Sequence, residues 1–93
     1  MKVVLYRPGE PGRLPEIENS LEALQGAVGG YIETVTLTED LTFVCNEEGR
    51  LMGLPFNRKI LGINFVEPVL AVGVADEEFC DVPEEAMDWL MKL

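Results

Sequence analysis

Apolar and polar residues alternate through residues 31–45, YIETVTLTEDLTFVC, with the two-residue rhythm of a half-buried strand. β-Branched and aromatic types dominate the run, and Glu39-Asp40 interrupts it near the middle. The segment therefore predicts a β-hairpin. Tyr31, Glu33, Val35 and Leu37 share one face of its first strand, and Ile32, Thr34 and Thr36 share the other. Leu41, Phe43 and Cys45 line one face of the second strand.

Before this hairpin, residues 2–6 (KVVLY) read as a short strand. Residues 7–15 hold three prolines and two glycines and predict a loop, with Pro8-Gly9 suited to a type II turn. Residues 16–18 predict a short return strand beside the first. Leu21, Leu24 and Val28 recur at helical spacing, so residues 19–28 predict a helix. Asn19 is its expected cap, with Glu22 three residues on as in a capping box, and Gly29-Gly30 is its stop. Gly26 inside it points to close packing on the sheet or to early fraying.

After the hairpin, residues 46–49 (NEEG) predict a second turn and residues 50–52 a short strand. Residues 53–59 read as an exposed loop, because Pro55 blocks regular pairing and Asn57 tolerates the left-handed region. Residues 60–64 fit no single pattern. Residues 69–74 are continuously apolar and predict an internal strand covered on both faces. Asp76-Glu77-Glu78 is an acidic turn, and residues 79–81 an edge strand. A final helix over 83–92 starts near Pro83, with Glu84 and Glu85 at its positive end and Lys92 at its negative end. Ala86, Trp89, Leu90 and Leu93 form its expected packing stripe, although a terminal amphipathic helix can also dock a partner. The sum is an α+β fold in one domain over 1–93, a mostly antiparallel sheet of about four to six strands with two helices.

Charge narrows the function. The chain has 93 residues, 17 acidic against 7 basic, for a net charge of −10. Such a surface repels phosphates, so direct nucleic-acid binding is not expected. A protein partner with a basic surface fits better, while solubility alone is the simpler account of the acidity. The chain has no histidine, and its two cysteines, Cys45 and Cys80, stand far apart. They lack metal-ligand spacing, and no imidazole is present to activate either thiol. Glu47-Glu48 and Asp76-Glu77-Glu78 read as solvated turns rather than acid–base or cation sites. Gly29-Gly30 precedes a strand, whereas a dinucleotide loop precedes a helix. The expectation is a non-enzymatic protein with no catalytic residue, metal or cofactor. No signal peptide precedes the first strand and no apolar run nears the ~18 residues of a membrane span, which points to a cytoplasmic protein without membrane contact.

The candidate site is the segment 46–58. Asn46, Asn57 and Arg58 offer hydrogen-bonding groups from a loop on a rigid sheet, and Phe56 offers an apolar anchor. Arg58-Lys59 is the one adjacent basic pair in an acidic chain. The competing account is structural: Asn57 closes a turn, Phe56 enters the core, and Arg58 pairs with Glu47 or Glu48.

The stretch LEALQGAVGGYIETVTLTEDLTFVCNEEGRLMGLPFNR resembles the uncharacterised domain-of-unknown-function family thirty-eight forty-six. Its most recognisable parts are Val28-Gly29-Gly30-Tyr31-Ile32-Glu33, then Asn46-Glu47-Glu48-Gly49 followed by Leu54-Pro55 and Asn57-Arg58. The resemblance runs from the first strand to Val74. It implies a small protein of Gram-positive bacteria, phages and mobile elements, with an accessory role and no agreed activity. The expected function is thus an interaction or accessory module, one version being an acidic decoy that imitates DNA phosphates before a basic protein surface. The alternative is a small-molecule-binding domain using the 46–58 loop.

Overall fold

The computed structural model describes residues 1–49, 51–66 and 68–93; Arg50 and Glu67 lie outside the described residues. The elements run β1 (Val4–Tyr6), α1 (Leu21–Val28), β2 (Ile32–Thr38), β3 (Leu41–Asn46), β4 (Phe56–Ile60), β5 (Ile63–Val66), β6 (Val69–Ala75), β7 (Glu78–Cys80) and α2 (Glu84–Met91). All strand pairs are antiparallel, and the architecture is α+β.

β6 is the axis of the main sheet. β3 pairs along one side of it, Leu41 opposite Gly73 to Cys45 opposite Val69. β1 and β7 share the other side, β1 against Val69–Ala71 and β7 against Gly73–Ala75. β2 pairs β3 beyond that, so the order is β1-β6-β3-β2 with β7 also on β6. The expected internal strand is therefore present and is apolar for the predicted reason. Its side chains alternate between two cores, as period-two geometry requires. Val69 and Ala71 join Val4, Tyr6, Leu41, Phe43 and Phe65 on one face, under α2 and the β4–β5 hairpin. Leu70 and Val72 join Val3, Val44, Leu24 and Val28 on the other face, under α1. Gly73 interrupts the run because β7 turns back over it: a Cβ at Gly73 would collide with the Asp81 carbonyl oxygen.

The hairpin of residues 31–45 is β2–β3, turning at Glu39-Asp40 with Thr38 opposite Leu41. Tyr31 lies just outside it and is exposed. A register shift between Thr36 and Thr38 interrupts the regular pairing of β2 with β3. The return segment beside β1 is present only as isolated bridges, Leu5 to Arg13 and Lys2 to Glu16. Prolines at 11 and 15 remove donors that a full ladder would need.

Several expectations are corrected. α1 is capped by Ser20, whose side chain accepts from the Ala23 N–H at 3.1 Å, not by Asn19. Asn19 instead donates its side-chain amide to the Phe79 carbonyl at 2.8 Å. Leu21 thus becomes the first helical residue and stays exposed, leaving Leu24 and Val28 as the buried face. Gly29 ends the helix at φ 79 as expected, its N–H bonded to the Gln25 carbonyl. Gly26 packs against nothing, since a Cβ there would meet no atom within 4 Å. Trp89 is not part of the core stripe of α2; Leu90 is buried, and Ala86, Met87, Met91 and Leu93 pack beside it. The strand expected over 50–52 begins on Arg50, outside the described residues, and residues 51–53 form a turn.

The largest correction concerns residues 53–59. Residues 56–60 are not an exposed loop but β4, which pairs with β5 as a separate two-stranded hairpin. A register shift between Phe56 and Arg58 breaks the alternation and turns polar Asn57 inward. That irregularity hides the strand from period-two reading. Leu61 and Gly62, within the stretch that fitted no pattern, are the hairpin's tight turn.

Candidate functional site

The four residues singled out in the 46–58 segment do not form one open surface. Asn46 is buried at the end of β3. Its amide donates to the Val28 carbonyl at 3.0 Å, satisfying a carbonyl in the last turn of α1, and its Oδ1 accepts from the Glu48 N–H at 2.8 Å. It thereby holds the 46–49 turn against the helix end. Asn57 is only 8% exposed, donating its amide to the Tyr6 carbonyl at 2.8 Å. Phe56 does not enter the core; it is 58% exposed.

Arg58 is half-buried and pairs with backbone rather than with Glu47 or Glu48. Its guanidinium donates to the carbonyl oxygens of Leu93 at 2.6 Å, Arg7 at 3.0 Å and Glu10 at 2.5 Å. Nε donates to Asn57 Oδ1 at 2.9 Å, and the guanidinium carbon stands 4.7 Å from the centre of the Tyr6 ring. The rigid fork of arginine suits this role, because it reaches several acceptors at fixed angles. Tyr6 donates its hydroxyl to the Leu90 carbonyl at 2.8 Å. Burial pushes the Tyr6 hydroxyl well above its ordinary ionisation range, against the weaker opposite pull of the Arg58 charge. Arg58, Asn57 and Tyr6 thus lace β4, β1, the 7–10 loop and the segment after α2 together.

What the fold brings together elsewhere is more open. Asp40 precedes β3, and its carbonyl accepts from the Val74 N–H at 2.9 Å. Leu41 stands opposite Gly73, so the Glu39-Asp40 turn lies at the same end of the sheet as the Asp76-Glu77 turn joining β6 and β7. Asp76 and Glu77 hold φ values of 51 and 65, an unusual pairing for residues other than glycine. α2 begins with Glu84 and Glu85, and Glu85 lines a groove together with Asp40. One end of the molecule is therefore acidic.

Beside this end opens an apolar groove of about 350 Å³, walled by Leu37, Leu41, Leu61, Ala86 and Trp89. Asp40 and Glu85 also line it. Leu61 is 65% exposed and Trp89 42% exposed. Leu61 also carries backbone strain, at φ 49, with Gly62 following at φ 83. Both central residues of this two-residue turn are left-handed, a geometry that normally selects Asn, Asp or Gly first. A leucine there costs roughly 1–2 kcal/mol. Leucine at the first turn position hides the hairpin from the sequence, and the groove beside it is hidden as well, because its walls come from three separate segments.

A smaller cleft of about 210 Å³ opens between the Glu33–Val35 part of β2 and Ile63–Val66 of β5, with Asn46, Glu47 and Leu51 at its edge. Asn57 and Arg58 line neither cleft. Cys45 is buried with its thiol 3.7 Å from the Glu33 carbonyl, and Cys80 is partly buried. Among the described residues no group of three potential ligands is placed to hold a metal ion, and no helix is long and apolar enough to cross a membrane.

No curated protein and no solved structure matches this chain. The model of the family described as a domain of unknown function, DUF3846, matches residues 1–93, past Val74 to the last residue of the chain, and the chain belongs to that family.

Proposed function

We propose that the protein is a non-enzymatic interaction module that docks the basic surface of a partner protein, an accessory role of the kind a phage or mobile element carries. The observation that carries this reading is the meeting of two acidic turns and the acidic start of α2 at one end of the sheet. Carboxylates on tight turns are solvated and costly to bring together, so a cationic partner relieves their mutual repulsion. A patch of this kind favours simple docking over imitation of a phosphate row. Such imitation calls for carboxylates spaced regularly along one face, whereas here Glu16, Glu18 and Glu22 accompany the return segment and α1.

An oligolysine peptide is the test probe. The first variant carries Glu39→Gln, Asp40→Asn, Asp76→Asn and Glu77→Gln. The control removes equal charge elsewhere, through Glu16→Gln, Glu18→Gln, Glu22→Gln and Glu48→Gln. The first variant is expected to bind about ten-fold more weakly than the control by calorimetry at low salt. Equal affinities for the two variants would overturn the reading, because binding would then follow net charge alone.

A further inference from the structure

The groove between Leu61 and Trp89 has features that the fold does not need. Leu61 is mostly exposed, so burial does little to offset its left-handed backbone. Trp89 sits on the flank of α2, while Leu90 and Met91 hold the helix to the core. Apolar walls and acidic borders meet in one depression. We propose, building on the acidic-end reading, that this groove seats the apolar face of a short cationic amphipathic helix from a partner protein.

The groove's shape and charge select this occupant. Lysine or arginine beside the apolar face would meet Asp40 and Glu85, both of which line the groove. An extended strand is disfavoured, because the ladder of β2 is irregular at the register shift between Thr36 and Thr38, where Leu37 borders the groove. A strand needs a regular ladder of backbone groups, whereas a helix arrives with its own satisfied and needs only side-chain contacts. A second copy of this chain would set one acidic end against another. An anionic lipid surface is repelled by the same carboxylates. The volume of about 350 Å³ falls at the small end of the ~300–1,000 Å³ range of ligand pockets, enough for the apolar side chains of one helical turn.

Trp89 is the chain's one tryptophan, so its emission reports on the groove directly. The first probe is a synthetic leucine–lysine peptide patterned as an amphipathic helix and free of aromatic residues. The second has the same composition scrambled so that no apolar face forms, and the third is oligolysine. The patterned peptide is expected to shift Trp89 emission to the blue and to bind about ten-fold more tightly than the scrambled one. Leu61→Asn places in the turn a residue its geometry prefers, so this variant should melt at a temperature no lower than the native chain. It should bind the patterned peptide about ten-fold more weakly and oligolysine as before.

Unchanged affinity of Leu61→Asn for the patterned peptide, or equal binding of the patterned and scrambled peptides, would overturn the groove. If the groove fails in this way but the four-carboxylate variant still loses oligolysine binding, the acidic-end reading stands alone. If that variant binds oligolysine as well as its control does, both readings fall.

Discussion

Arg58 joins three backbone carbonyls, the Asn57 side chain and the Tyr6 ring. Removing the guanidinium in Arg58→Ala leaves those carbonyls to water, which reaches the Arg7 and Glu10 sides readily because both bonds are exposed. The cost is therefore about 2 kcal/mol rather than the sum of the separate charged bonds, a fall in melting temperature of about 8–16 °C. Arg58→Lys is expected to recover little of it, since an ammonium on a flexible stem cannot span these acceptors. Thermal unfolding followed by circular dichroism measures both variants.

Tyr6 yields a pH signature. Its hydroxyl ionises at 10.0 in the unfolded chain and is held higher in the fold by burial. The unfolded state therefore loses the proton first. The tyrosine's contribution to stability is complete below about pH 10 and declines as pH rises beyond it. Tyr6→Phe is expected to cost about 1 kcal/mol at neutral pH through the lost bond to Leu90, and to flatten the alkaline decline. Melting curves between pH 8 and pH 11 decide it; an equally steep decline in the variant would contradict this account.

Among the elements, two glycines at superficially similar places in their segments are expected to behave oppositely. Gly26 lies within α1 with open space where a Cβ would go, so Gly26→Ala should stabilise the fold by about 1 kcal/mol through helix propensity. Gly73 lies within β6 beneath the Asp81 carbonyl, so Gly73→Ala must displace backbone and should destabilise by about 3 kcal/mol or more. Urea titration of the pair measures both shifts. The two helices and the β2–β3 hairpin were readable in the chain because their signals are local. Helix periodicity around Leu24 and Val28, alternation from Ile32 to Val44, and a glycine stop all act within a few residues. β4 was not readable. Its bulge places Asn57 inward, and an inward asparagine is satisfied by a carbonyl at Tyr6, fifty-one positions away.

For the molecule as a whole, a net charge of −10 on 93 residues is self-repelling, most strongly where acidic turns meet. Melting temperature is expected to rise with sodium chloride between about 0.01 M and 0.15 M, as the screening length falls from roughly 30 Å to 8 Å. The four-carboxylate variant at residues 39, 40, 76 and 77 should lose much of this salt response, and the control variant less of it. A salt response equal in both would mean that the repulsion is spread evenly over the surface. Of the acidic end, only the charge excess was legible in the chain; the expected site over residues 46–58 lay elsewhere, and Trp89 was expected in the packing stripe of the last helix rather than in the open. The position of the acidic end was not legible, because the Glu39-Asp40 turn meets the Asp76-Glu77 turn only through the pairing of β3 with β6.

Local order in this protein follows from the chain's own periodicities, which set where the helices stop, where the first hairpin turns, and why β6 is apolar on both faces. These depend on steric and solvation preferences that act between near neighbours. The tertiary structure alone decided that Asn57 and Arg58 face inward as ties, that Trp89 stays in the open, and that Leu61 stands beside it. Those outcomes depend on which distant segments pack together, and the register of β3 on β6 and the seating of the β4–β5 hairpin over the sheet are settled only when the cores on both faces close.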